Sequence, residues 1–276
     1  MKKKIKQSIL KRLLTSEQLK KIQTPGVNFP GGILPINNTM LNDVFIVGFP
    51  KSGNTLMQHI IAHLYYGLNE EASRTMVNLI TPDIYANSHY FRFNEVCFFK
   101  SHDLPKPEYK KVIYIMRDGR EALLSYYHMM KNMGTPVSLK DLYSGKIKLY
   151  NVTWGEHIAQ WESNPYQADI LWIKYEDLKA NKINILQRIC TFLNIDRSTN
   201  ELEKVIEFTS LKHMKEMEKR IDWAKMKKNK FLMGKNFVRQ GMLGTDDTLS
   251  YYWHSMDTTT TTPWSVNAFR IYPNAF

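Results

Sequence analysis

Four short runs, VFIV at 44–47, VCFF at 96–99, VIYIM at 112–116 and ILWI at 170–173, are β-prone and apolar on both faces. Runs of this length without polar alternation read as strands buried inside a mostly parallel sheet. Three of them lead into helix-patterned segments. NTLMQHIIAHLYYGL follows the first, with Leu56, Ile60, Ile61, Leu64 and Leu68 on one face; REALLSYYHMMK follows the third and INILQRICTFL trails the fourth. Strand then helix, three times over, predicts an α/β, doubly wound fold with a mostly parallel central sheet flanked by helices. Such sheets bind ligands beyond the carboxyl ends of their strands. The segments just past the four runs are therefore the candidate site: GFPKSGNT (48–55), KSHDLP (100–105), RDGREALLS (117–125) and KYEDL (174–178).

GFPKSGNT nearly spells the Gly-x-x-x-x-Gly-Lys-[Ser/Thr] loop of nucleotide-binding proteins, but Asn54 occupies the lysine position and Lys51 comes three residues early. Gly48 and Gly53 allow close backbone approach, and the amides from Ser52 to Thr55 fall at a helix N-terminus, so the loop reads as an anion cradle. The lysine that would hold the outer phosphates of a triphosphate is missing. Lys51 would reach a shorter group. His102, at a strand end beside this loop, has an ordinary pKa of about 6.5 and can take a proton from an attacking hydroxyl or amine. The other seven histidines lack such a setting. Arg117 at a strand tip suits either a bidentate grip on phosphate or a structural ion pair.

A formal charge of +12 favours anionic partners without choosing among them. Cys97 and Cys190 both lie in apolar runs, and no uninterrupted apolar stretch of about 18 residues occurs, so a cytoplasmic, reduced chain is expected, with no disulfide and no stable membrane insertion. No Cys/His cluster has metal-ligand spacing, and no metal is expected. The 276 residues, 43% of them hydrophobic, suffice for one domain, placed at 41–276. Residues 1–40 read as a basic amphipathic helix, with Ile5, Ile9, Leu13 and Leu14 among lysines, and a Pro/Gly/Asn-rich linker over 24–38. That helix suits packing on the domain or weak association with an anionic lipid surface.

The loop resembles that of the PAPS-dependent sulfotransferases, YPKSGTTW, at Pro50, Lys51, Ser52, Gly53 and Thr55, and further matches follow in the family's order through residue 244. KSHDLP resembles the family's KTHLP with one extra residue, Asp103, which implies His102 as catalytic base with Lys51 and Lys100 stabilising charge. The resemblance further implies Ser52, Gly53, Asn54 and Thr55 on the 5'-phosphosulfate, Arg117 and Ser125 on the 3'-phosphate, and Tyr175 beside the adenine. FTSLKHMKEM (208–217) is similar to the family's TSF segment and would set Thr209, Ser210 and Leu211 at the adenine edge. There Leu56 and Leu211 replace aromatic rings, at a loss of roughly 1 kcal/mol of stacking. FVRQGMLGTDD (237–247) resembles RKGxxGDW, with Arg239, Gln240 and Gly241 closing over the 3'-phosphate; Gln240 replaces a lysine and the tryptophan is missing.

The activity so implied is sulfonyl transfer from 3'-phosphoadenosine 5'-phosphosulfate (PAPS) to a hydroxyl or amine of a small-molecule acceptor, without metal or nucleic acid. Phe91, Phe93, Phe98, Phe99, Tyr126 and Tyr127 suit an apolar acceptor pocket or the core. Two other readings stay open from the residues alone: a nucleotide kinase or NTPase, and a non-catalytic anion-binding module.

Overall fold

The computed structural model describes residues 32–68, 74–92 and 94–219. In chain order the elements are β1 (Gly32–Pro35), β2 (Val44–Val47), α1 (Asn54–Tyr66), α2 (Arg74–Ile80), β3 (His89–Arg92), β4 (Phe98–Ser101), β5 (Lys111–Met116), α3 (Gly119–Asn132), α4 (Leu139–Tyr143), α5 (Trp154–Ser163), β6 (Asp169–Lys174), α6 (Tyr175–Ala180), α7 (Lys182–Leu193), α8 (Thr199–Phe208) and α9 (Leu211–Lys219). The four anticipated runs make one parallel sheet in the order β4-β2-β5-β6. The expected α/β architecture is the observed one.

Period-two alternation divides the sheet between two cores. Val44, Ile46, Phe98, Ile113, Ile115 and Ile173 pack on one face with α1, α7 and α8. Phe45, Val47, Phe99, Val112 and Tyr114 pack on the other with α3, α4 and α5. Phe98 and Phe99 are thereby fully buried core residues, not pocket lining. The helix after β2 and the helix after β5 leave on opposite faces of two adjacent strands. A crevice opens where they part.

Three local differences from the sequence reading have physical causes. Helix α1 stops at Tyr66 rather than running to Leu68, because Gly67 adopts φ 63° and ends it in a left-handed cap, while Leu68 still folds back into the core. Strand β4 is shifted two residues along from VCFF, starting at Phe98 and running through Lys100 and Ser101; Lys100 is tolerated in a buried strand because its Nζ lies 2.7 Å from an Asp83 carboxylate oxygen. Residues 32–35, inside the expected linker, form β1 and pair antiparallel with β3.

A buried ion pair joins this small sheet to the large one. Asp43, directly before β2, accepts from the amides of Met40 (2.7 Å) and Cys97 (2.8 Å) and from the Arg92 guanidinium. Arg92, at the end of β3, spends its other donors on the Tyr90 hydroxyl (3.0 Å) and the Glu95 carbonyl (3.0 Å). Both side chains are wholly shielded from solvent.

Candidate active site

The carboxyl ends of β2, β4, β5 and β6 deliver the four expected segments to one end of the sheet. After β2 the chain turns sharply through Lys51 (φ 71°) and Gly53 (φ 111°), with Ser52 between them at negative φ. Alternation of this kind gathers successive amides into a concavity that receives an anion. The Ser52 amide closes the turn on the Phe49 carbonyl at 3.1 Å. Helix α1 then starts with no side-chain cap, leaving its first amides for a ligand or solvent. A Cβ at Gly48 would sit 2.5 Å from the Ile115 carbonyl oxygen, and one at Gly53 would sit 2.7 Å from the Tyr175 ring. Both glycines are required by contact, and Gly53 also by its φ.

Arg117, just past β5, bridges the crevice. Its Nη1 donates to the Lys51 carbonyl at 3.0 Å, its Nη2 to Glu121 at 3.1 Å, and its Cζ lies 4.6 Å from the centroid of the Tyr175 ring. Part of the guanidinium fork is thus spent on the protein, while Nε is buried with no hydrogen-bond partner. The Ser52 hydroxyl is buried and unpartnered as well. Buried donors without partners are costly, and these two, one in the glycine-lined concavity and one beside it, fit the anionic groups of a ligand.

Asn54 does something else. Its amide nitrogen faces the carbonyls of Gly48 (3.2 Å) and Ser101 (3.3 Å), so the side chain in the lysine position ties the loop to the end of β4 and only its backbone amide remains for an anion. Lys51 Nζ approaches the Met129 sulfur of α3 at 3.7 Å. Lys100, expected as a charge donor, is ion-paired to Asp83, and its charge with the hydrogen bond outweighs burial to hold that carboxyl below the usual range.

His102 follows β4 and is 8% exposed. Its Nδ1 lies 2.7 Å from the Gly48 carbonyl. A carbonyl can only accept, so Nδ1 carries the hydrogen and Nε2 is left with its lone pair, the tautomer a general base needs. Burial, then the Lys100 charge, hold the imidazole well below its ordinary pKa and keep it neutral. The extra residue, Asp103, does not disturb this arrangement: its amide bonds Ser101 Oγ at 2.9 Å and its carboxylate is satisfied by Tyr85, Lys106 and Tyr109.

The remaining expected residues are placed as follows. Ser125 is half-buried on α3, one helical turn beyond Glu121. Tyr175 opens α6 against Gly53 and Arg117. Leu56 packs at the margin of the first core, and Leu211 is 43% exposed. Thr209 is committed locally: its hydroxyl donates to Val205, and its carbonyl and hydroxyl receive Lys182 Nζ at 3.0 and 3.3 Å. Ser210 Oγ accepts from the His213 amide at 3.3 Å. Phe93, Arg239, Gln240, Gly241 and the basic N-terminal helix lie outside the described residues.

Sequence reasoning missed His157. This residue of α5 is fully buried; Nε2 donates to the His102 carbonyl at 3.1 Å, Nδ1 accepts from Tyr114 at 2.7 Å, and the ring meets Phe49 of the loop edge-on at 5.9 Å. Burial lowers its pKa to about 4, so it too is neutral. It links β5, the loop and His102. Only its place in helix α5, facing the core beside Trp154, Ile158 and Trp161, hinted at burial.

Comparison with known proteins agrees with this geometry. The model of the sulfotransferase domain matches residues 41–245. Mouse sulfotransferase 1B1 is 26% identical over 196 residues, covering 63% of this chain and 66% of that protein, and human sulfotransferase 2B1 is 28% identical over 224 residues, covering 69% and 59%. The chain thus spans about two thirds or less of those relatives' length. Among solved structures, retinol dehydratase in a complex with retinol and PAP aligns over 96% of this chain and 98% of its own, with a TM-score of 0.63 at 16% identity. A mouse sulfotransferase complexed with PAP aligns over 79% and 82%, with a TM-score of 0.57 at 20% identity. With the family model covering the sheet, the loop and the strand-end histidine, the chain belongs to the sulfotransferase domain family.

Proposed function

We propose that this chain moves the sulfonyl group of PAPS to a hydroxyl or amine of a small-molecule acceptor, releasing adenosine 3',5'-bisphosphate. The observation that carries the reading is the meeting, at one strand-end crevice, of a glycine-lined anion cradle with unspent buried donors and a neutral histidine whose Nε2 is left to accept a proton. When bound, PAPS supplies an activated sulfonyl group on an anionic leaving group. Lys51 with Ser52 and the amides of Gly53, Asn54 and Thr55 would hold its 5' end, and Arg117 with Ser125 its 3'-phosphate. Leu56, Tyr175, Thr209, Ser210 and Leu211 would face the adenine, and Arg239, Gln240 and Gly241 keep the role implied by their motif. His102 would take the acceptor proton at Nε2. Preorganised donors around the loop then supply most of the rate, because little covalent chemistry falls to the protein.

A small-molecule acceptor is supported by the retinol and the androsterone bound to the related fold. Among the described residues no helix is long and apolar enough to cross a membrane, and both cysteines are unpaired; a cytoplasmic setting fits them. The kinase reading is disfavoured by Asn54, whose amide is spent on Gly48 and Ser101. Calorimetric titration with adenosine 3',5'-bisphosphate, ADP and ATP, each with and without magnesium, tests the choice. Tight binding of the bisphosphate alone, indifferent to magnesium, is expected; preference for magnesium and ATP would return the kinase.

His157 acts through His102 as a positioning residue in this reading. Glutamine keeps an N–H donor where Nε2 stands, whereas asparagine is too short to reach the His102 carbonyl. His157→Asn should cut kcat by roughly 10- to 100-fold, the range associated with misplacing a reacting group by about 1 Å, with little change in bisphosphate affinity. His157→Gln should recover most of the loss. Equal loss in both variants would assign His157 to packing alone.

A further inference from the structure

Arg117, Glu121 and Ser125 follow one another at a spacing of four, and the last two share a face of α3. The Glu121 carboxylate takes a hydrogen bond from Arg117 Nη2 at 3.1 Å, and the two side chains are only 14% and 11% exposed. A guanidinium grips a phosphate through two neighbouring nitrogens, either Nε with Nη2 or Nη1 with Nη2. Nη2 belongs to both pairs. Nε, buried and without a partner, thus stands beside a nitrogen already given to a carboxylate, while Nη1 is drawn to the Lys51 carbonyl. That carbonyl and the Tyr175 ring, 4.6 Å from Cζ, fix the guanidinium from two further sides. A phosphate gripped in this way must share Nη2 with Glu121 or displace it, and two negative groups on one nitrogen repel.

We propose that Glu121 is an internal competitor for the 3'-phosphate, a specificity-determining residue that lowers the hold of Arg117 on 3'-phosphorylated nucleotides and so eases departure of the spent adenosine 3',5'-bisphosphate. The proposal rests on the sulfonyl-transfer reading, which sets Arg117 and Ser125 on that phosphate. Donor and product carry the same 3'-phosphate, so a firmer grip there holds both equally. Such uniform binding lowers the donor concentration required without speeding the chemical step, and a tightly held product slows turnover where release is limiting. Glu121 moderates the grip from the helix that also carries Ser125. Before a ligand arrives, it keeps the guanidinium paired in a shielded place, where an unpaired charge is costly.

Glu121→Gln removes the charge and keeps an oxygen within reach of Nη2, so Arg117 stays in place. Calorimetry on the full chain would give the dissociation constants of adenosine 3',5'-bisphosphate and of adenosine 5'-phosphate, which lacks the group in question, for wild type and variant. Stopped-flow displacement would give the dissociation rate of the bisphosphate. In Glu121→Gln the bisphosphate should bind about tenfold tighter, the part of a like-charge penalty that survives partial solvent exposure, and leave correspondingly more slowly. The affinity for adenosine 5'-phosphate should be unchanged. Bisphosphate binding unaltered or weakened in the variant, or an equal gain for both nucleotides, would overturn the competitor. The sulfonyl-transfer reading fails separately: a wild-type preference for magnesium and ATP over the bisphosphate would reject it, while the change in the ratio of the two affinities on substitution still decides the role of Glu121.

Discussion

His102→Ala is expected to lower turnover by about 10² to 10⁴-fold, the usual contribution of a positioned general base, while binding of adenosine 3',5'-bisphosphate stays nearly intact. The separation follows from geometry. His102 meets the loop through its Nδ1 bond to the Gly48 carbonyl, and that carbonyl also receives Asn54 Nδ2 at 3.2 Å, so the cradle keeps a tie when the imidazole is removed. Initial rates with PAPS and calorimetry on the same preparation read both quantities; an active variant would reject His102 as the base. The pH profile gives a second signature. A base works in its neutral form, and burial with the Lys100 charge holds this imidazole below its ordinary 6.5. The acid limb of the wild-type pH–rate profile should consequently lie below pH 6.5, and a limb at or above 6.5 would place a different base in the reaction.

Asp43→Ala should be the most destabilising single change in the described part of the chain. It strands the Arg92 guanidinium in a wholly shielded position and orphans the Cys97 and Met40 amides. Removing one member of a buried ion pair costs about 3–5 kcal/mol, against a total stability of roughly 5–15 kcal/mol for a typical domain. Urea unfolding followed by far-ultraviolet circular dichroism should show the midpoint falling sharply. Asp43→Ala combined with Arg92→Leu should recover part of the loss, since the uncompensated charge is then gone. An unshifted midpoint in the single variant would mean that the pair contributes nothing to stability.

The strands at 44–47 and 112–116 were legible because residues buried on both faces need no polar alternation, a property visible one residue at a time, whereas the equally apolar run at 170–173 forms an edge strand that is only partly buried. The boundary of β4 was less so: Lys100 ends the apolar pattern, and only the distant Asp83 makes it a strand residue. Likewise β1 looked like a linker, since its partner β3 lies more than 50 residues away and its two apolar residues, Ile33 and Leu34, stand among turn formers.

The same division runs through the site. Local sequence was enough to nominate the loop at 48–55 as a cradle, because glycines, helix start and strand end are adjacent in the chain, and enough to nominate His102 and Arg117 at strand tips. It could not say that Asn54 turns inward to Gly48 and Ser101, that Arg117 spends part of its fork on Lys51 and Glu121, or that His157 from α5 holds the carbonyl of His102. Sequence by itself determined which segments become strands, which loops follow them and hence which end of the sheet carries the candidate site, since hydrophobic period and turn chemistry act between neighbours in the chain. Tertiary structure alone decided which polar groups are paired, which are left unspent and which histidine supports which, because hydrogen bonds and ion pairs in a shielded interior depend on atoms brought together from distant parts of the chain.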